Sequence, residues 1–426
     1  MRGVDEVNKN EKLDFRFVLW MVSRIFVPTK LMMSMKRKVL IVLIGLFLLG
    51  LEMNAQPRRE ELMRVMELAN DHFMRKYPDP GKPTFVKKER PSNLWTRGVY
   101  FEGLTALMEV EGMFANEKFF TYRRYIEDWG EAHQWTPRNG VKTRDADDYC
   151  CCQTYLDMGH DEPTIACMEN LIACRQVPQT QGNGSSTGSF GDWTWIDAIQ
   201  MGLPVMTKLS QKMRKQGRAD WKRYAEQGWQ MYRTSRDSIA GGLFNKQEGL
   251  WWRDKDFVPP FTTPQGKNCY WSRGNGWVYA ALVRAMESLP QDPHCKDYRK
   301  DYLKMTKALV KCQREDGFWN VSLHDEEDYG GVELSGTSLF IYGMAWGVRK
   351  GYLSQKKYLP IIFDTWEAMV KTCVHEDGVL GYVQGTGKEP KDSQPVTYDK
   401  EPDFDDYGLG CFLLCGTEIV KLIENL

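Results

Sequence analysis

The sequence has little of the raw material from which metal and redox sites are built. Its six histidines are scattered, and no two stand at ligand spacing, which argues against a metal centre. Cysteine is present but unpatterned. Eleven is an odd number, and Cys150-Cys151-Cys152 in a row suits neither a regular disulfide framework nor a zinc site. With Cys411 and Cys415 one helical turn apart in an apolar stretch, these residues read as small buried hydrophobes. An excess of charge of one sign is also missing. Lys plus Arg and Asp plus Glu number 57 each, so no whole-protein field draws the chain to nucleic acid or to an anionic membrane. The run Gly274-Asn275-Gly276 is no phosphate loop, because no strand precedes it and no GK[ST] follows. No cofactor is indicated.

A comfortable membrane span is absent too. The apolar run Val39 to Leu51 is too short for one. It follows the basic Met35-Lys36-Arg37-Lys38 and precedes "EMNAQ", the order of a secretory signal with cleavage after Ala55. No cysteine directly follows the run, so a lipid attachment is not indicated. The expectation is an upstream extension plus signal peptide over 1–55 and one folded domain over 56–426. The mature protein would be exported, soluble and periplasmic, with no stable membrane anchor; no oligomeric state is read from the residues.

What the chain does have is aromatic and apolar material, 12% and 42% of residues, in a length of 426 that can bury a large core. From about Arg58 onward two kinds of helical segment alternate. Charged, amphipathic segments are expected at Glu60 to Tyr77, Glu117 to Trp129, Pro163 to Val177, Ala219 to Ile239, Tyr298 to Glu315 and Gln355 to Cys373. Between them come segments apolar on nearly every side. Val278, Ala281, Leu282, Ala285, Met286 and Leu289 follow helical spacing, as do Tyr100, Gly103, Leu104, Leu107 and Met108. Leu339, Tyr342, Gly343 and Trp346 repeat it, and so do Gly408, Cys411, Phe412 and Cys415; two more segments begin near Asp148 and Asp197. Successive members lie roughly 50 to 75 residues apart, a period of stacked helical repeats. Six enclosed helices alternating with six amphipathic ones predict an all-α (α/α)6 toroid, with an open solenoid as the alternative and strands confined to loops such as "GLWWRD".

In such a ring the loops before the inner helices gather at one mouth. They read "SNLWTRGVYFEG", "RDADDYCCCQTY", "FGDWTWIDAIQMGLP", "YWSRGNGWVY", "YGGVELSGTSLF" and "FDDYGLGCFLL". Aromatic faces stack on sugar rings while Asp, Asn and Arg read hydroxyls and carboxylates, so the set describes a carbohydrate pocket. Asp147 and Asp192 are taken as helix caps or dipole partners. Asp148 and Asp197 stand just inside apolar helices, where a merely structural carboxylate is costly to bury, and together they look like an acid/base pair.

At these residues the chain resembles the unsaturated glycuronyl hydrolases, in particular glycoside hydrolase family 105, with family 88 as the close relative. The resemblance runs from Pro91 to Leu422 through "DDYCCCQTYLDMG", "WTWIDAIQMGLP", "YWSRGNGWVYAALVRAMESLP", "ELSGTSLFIYGMAWGVRKGYL" and "YGLGCFLLCGTEIVKL". It implies an enzyme acting on the 4,5-unsaturated uronic acid that polysaccharide lyases leave at an oligosaccharide end. An acid protonates C4, water adds at C5, and the resulting hemiketal collapses with loss of the neighbouring sugar. By the same correspondence Asp197 is the proton donor and then the base for water, and Asp148 holds ring hydroxyls. Arg273 binds the uronate, and Trp195, Trp271, Trp277, Asn275 and Trp95 shape the pocket. Related sequences often place a histidine before the RGNGW run, whereas this chain has none between His160 and His294. Either Arg253 takes over that contact or the subsite differs, which leaves open which uronate and leaving sugar are bound. An ordinary inverting glycosidase acting on saturated glycans, or an inactive glycan-binding protein, stand as the alternatives.

Overall fold

The computed structural model describes residues 58–85, 89–176, 193–400 and 402–426, and the chain from Arg59 onward is one compact unit. The signal-like segment and Asp192 lie outside the described residues. Six helices form an outer set: α1 (58–76), α3 (Lys118–Ala132), α6 (Glu162–Gln176), α8 (Lys222–Asp237), α10 (Cys295–Cys312) and α12 (Gln355–Cys373). The inner set is α2 (Trp95–Met113), α4 (Ala146–Tyr149) with its continuation α5 (Cys152–Asp157), α7 (Asp197–Lys215), α9 (Ser272–Ser288), α11 (Leu334–Arg349) and α13 (Asp406–Ile423). Among the described residues, strands are limited to the two-residue pairs β1 (Thr84–Phe85) with β2 (Glu89–Arg90) and β3 (Phe244–Asn245) with β4 (Leu250–Trp251). No described helix is long and apolar enough to cross a membrane.

Burial follows the two sequence patterns. In α8 the covered residues Tyr224, Ala225, Gly228, Met231, Tyr232 and Ser235 form one stripe, as expected of an amphipathic helix. In α11 every residue from Leu334 to Val348 is buried, which only a helix surrounded by others achieves. Cys411 and Cys415 are completely buried, and burial pushes both thiols well above their ordinary pKa.

The inner helices touch in cyclic order: α2 with α5, α5 with α7, then α9, α11 and α13, and α13 returns to α2. The ring is therefore closed, an (α/α)6 toroid and not an open solenoid. Closure requires glycine at one spot. A Cβ on Gly103 would lie 2.5 Å from the carbonyl oxygen of Gly410, and a Cβ on Gly410 would press on the carbonyl of Val99, so α2 and α13 meet backbone to backbone. Inside the ring, Glu102 of α2 accepts hydrogen bonds from Gln153 Nε2 of α5 at 2.7 Å and Gln200 Nε2 of α7 at 3.0 Å, and it pairs with Arg284 of α9. Burial pushes the Glu102 carboxyl upward in pKa, opposed by the Arg284 guanidinium. One buried carboxylate thus ties four inner helices together.

Neighbouring inner helices also meet at their N-terminal ends. Thr96 Oγ1 donates to Asp406 at 3.2 Å, Gly274 sits against Ile196, and Gly336 sits against Ser272. Gly98 sits against Cys150 and the Arg273 guanidinium against Tyr407, so the described parts of the leading loops share one end of the ring, the mouth. If the glycine contact closes the ring, Gly410→Ala should lower the denaturant midpoint by an amount worth about 1–3 kcal/mol, the usual cost of overpacking. A midpoint equal to wild type would show that α2 and α13 are not in backbone contact.

Candidate active site

Asp197 is the first residue of α7, and its setting is built by the β3–β4 hairpin. Phe244 pairs with Trp251 and Asn245 with Leu250, around a turn that Gly249 makes at φ +80. Asn275 of α9 clamps the hairpin from one side, accepting from the Trp251 N–H at 2.8 Å and donating to its carbonyl at 3.1 Å. From the other side, Trp195 bridges to Asp254 and the Ile196 N–H donates to the Arg253 carbonyl at 2.9 Å. The outcome is that Arg253 Nε stands 3.1 Å from Asp197 Oδ2 while its Nη1 donates to Asp254 Oδ2 at 2.7 Å. Burial opposes the charge of Arg253, but Asp197 and Asp254 outweigh it and hold the pKa above the ordinary arginine value.

Asp148, the second carboxyl of the sequence reading, is engaged by its own loop. Asp148 is buried, and its oxygens accept from Asn139 Nδ2 at 3.0 Å, Thr143 Oγ1 at 2.5 Å and Arg138 Nη1 at 3.3 Å. Asn139 reaches it from a left-handed turn, φ 61, followed by Gly140 at φ 81. Asp148 therefore organises the loop 138–145. Asp147 is not the helix cap, a part that falls to Asp145, whose Oδ1 accepts the Asp147 N–H at 3.1 Å. Asp147 is half-buried, and its carboxyl is pushed up to about 7 by burial first, then by the charges of Asp145, Asp197 and Asp148, with Arg253 opposing. It is the carboxyl that feels Asp197 and Arg253. Sequence reasoning missed it because adjacent helical residues point about 100° apart, and a doublet does not say which member faces the cavity. Placing the cap at Asp145 would have set the phase.

The RGNGW run is corrected as a group. Arg273 is fully buried, with Nη1 donating to the Gln384 carbonyl at 2.7 Å and Nη2 to the Gly385 carbonyl at 2.8 Å. Its guanidinium lies 4.6 Å from the Trp271 ring and 5.0 Å from that of Tyr407. Trp271 is buried as well and donates through Nε1 to Gln384 Oε1 at 2.8 Å, while Asn275 is committed to β4. These residues clasp the loop 382–392 and the hairpin instead of offering groups to a ligand. Trp277 is fully buried, edge-on to Trp95 at 6.3 Å. Trp95 and Trp195 are only half-buried, so of the four tryptophans these two have faces left to offer. Asp197, Asp147, Arg253 and Trp195 thus come together at the mouth, with Trp95 half-buried at the start of α2 beside Trp277 and Tyr407. Among the described residues, no three His, Cys, Asp or Glu side chains group so as to hold a metal ion.

A carboxyl pushed up to about 7 near a second, arginine-paired carboxyl is equipment for acid–base hydrolysis. The family description Glycosyl Hydrolase Family 88 matches residues 65–423, a stretch that includes the whole mouth. The chain belongs to glycosyl hydrolase family 88. As a family 88 member it is a glycoside hydrolase. It is 28% identical over 345 residues to an unsaturated 3S-rhamnoglycuronyl hydrolase of Formosa agariphila, covering 78% of this chain and 85% of that protein. It is 32% identical over 297 residues to a protein of the same name from an Alteromonas species, covering 65% and 66%. Among solved structures, a family 88 glycosyl hydrolase from Bacteroides vulgatus superposes with TM-score 0.69 at 27% identity, covering 85% of this chain and 99% of that one.

The raised pKa of Asp147 has a consequence for stability. Its folded value, about 7, lies above its ordinary 3.8, so the residue favours folding most below the lower value and that contribution is lost as pH rises through about 7. Asp147→Asn should therefore be more stable than wild type at pH 8, with the advantage shrinking by pH 4 in thermal melts. An equal advantage at both pH values would mean that Asp147 is not perturbed.

Proposed function

We propose that this family 88 enzyme removes the terminal 4,5-unsaturated uronic acid from oligosaccharides produced by polysaccharide lyases. The observation that supports it best is the pairing of Asp147, raised toward neutrality, with Asp197 held by Arg253. Burial lets the Asp147 carboxyl keep a proton up to about pH 7. Asp197 delivers it to C4 as the C4=C5 electron pair forms the new C–H bond, and positive charge spreads over C5 and the ring oxygen. Water then adds at C5 and returns its proton to the carboxylate. The resulting hemiketal opens to the ketone, and the hemiacetal left at C1 releases the neighbouring sugar. Trp95 and Trp195 supply stacking faces for the rings. By their names the two relatives act on rhamnoglycuronyl units, which makes such an oligosaccharide the substrate to assay first. Export to the periplasm after cleavage at Ala55 is part of the same proposal, resting on the signal-like segment from Met35. The N-terminal mass of protein from the native envelope tests it; an intact N-terminus in the cytosol refutes it.

The reaction is followed by loss of the ultraviolet absorbance of the conjugated enoate. Asp197→Asn and Asp147→Asn should each lower turnover by about 10² to 10⁴. Asp148→Asn should act differently, loosening the loop 138–145 and lowering thermal stability, with turnover by the folded fraction much closer to wild type. In deuterated water the released keto-uronate should carry deuterium at C4. An unlabelled C4, or turnover of saturated glycans in preference to the lyase product, would hand the site to an ordinary glycosidase.

A further inference from the structure

Arg253 is the one arginine of the sequence reading that remains available to a ligand. Arg273 is buried with both terminal nitrogens on loop carbonyls. The side chain of Arg253 is 20% exposed, and only its Nε and Nη1 donate to described residues, to Asp197 and Asp254. Nη2 is left for a ligand. The guanidinium is also rigidly held. Asp254, which carries it, accepts the Asp256 N–H at 2.8 Å on its other oxygen and is bridged through its backbone to Trp195. Around it stand Asp197 from α7, Asp254 on its own segment and Asp147 from α4, while nearby Lys255 is paired with Asp256 at 2.5 Å. One cation thus already serves two carboxylates at hydrogen-bond distance, Asp197 and Asp254.

Resting on the proposed reaction, we infer that Arg253 receives the carboxylate of the unsaturated uronate through Nη2 and in doing so slackens its hold on Asp197, so that binding of the charged substrate lets Asp197 take up the proton that C4 needs. A third anion arriving at a single guanidinium divides its charge further, and a carboxylate that loses part of its counter-ion becomes a better proton acceptor. The proton passes from Asp147 to Asp197, Asp147 is recharged from solvent, and no further reactant is needed. A planar guanidinium suits this task because it donates to two carboxylates at once along different edges. The enzyme would then read the charge at C6 as a condition for chemistry as well as for binding.

The test compares the unsaturated disaccharide with its C6 methyl ester, which keeps the double bond and loses the charge. Wild type should process the acid with a kcat/KM at least about 30-fold above the ester, the scale of losing one partner of a buried charge pair. Arg253→Gln should bring that ratio close to one, with both KM and kcat for the acid affected, and Arg253→Lys should keep part of it. Thermal melts establish that each variant is folded. A wild-type enzyme that accepts the ester as readily as the acid overturns the inference, whether or not the variants fold. So does an Arg253→Gln enzyme with the wild-type ratio. If wild type turns over neither compound, it is the proposed reaction that fails.

Discussion

The closure of α13 onto α2 is the contact on which the rest of the molecule depends. Without it the inner helices would form an arc with two open edges, and the mouth loops would fan apart. The contact is backbone against backbone at Gly103 and Gly410, so it tolerates no side chain. Next to it, Glu102 draws Gln153, Gln200 and Arg284 toward the axis. A buried ionic group of this kind adds little net stability compared with apolar packing, and its effect is to fix which helices face one another. The phase of α7 and α9, and with it the direction in which Asp197 and the Asn275 clamp point, follows from that arrangement.

The site itself is assembled in two layers. An inner layer of Arg273, Trp271, Asn275 and Asp148 holds loops by bonding to their backbone or to neighbouring side chains. An outer layer of Asp197, Asp147, Arg253 and Trp195 faces the mouth, with Trp95 half-buried at the start of α2. The division has an energetic logic. An acid/base pair needs carboxyls whose protonation differs, and that demands fixed distances to a single cation. Fixed distances in turn demand that the loops carrying them have no freedom to relax, which is what the inner layer enforces.

The ring was legible in the sequence because it is written in periodicity. The alternation of all-round apolar and one-sided helices predicted all twelve ring positions, and Gln355–Cys373 was placed to the residue. Asp197 was legible too, as a carboxylate inside an apolar helix. The inner layer was not. What Arg273 and Asn275 do is set by carbonyls of Gln384, Gly385 and Trp251, and a backbone carbonyl has no letter of its own. Polar residues clustered at a helix start look alike whether they hold a ligand or a loop. The different settings of Asp147 and Asp148 were not legible for a related reason, since the phase of a helix whose first segment is four residues long cannot be read from apolar spacing. Arg253, singled out in the sequence beside the missing histidine, lies against Asp197.

The bond between Thr96 and Asp406 spans 310 positions of the chain. Contacts so remote in sequence are slow to form, because a long loop must be closed before they reward it. The ring cannot be sealed until the last helix is available. A growing or truncated chain therefore presents the uncovered flank of α2, an apolar face with glycine at its centre, to whatever else is present. For this molecule the final helix, Asp406–Ile423, acts as a keystone: its arrival decides when a row of helix pairs becomes an enclosed vessel with an inside.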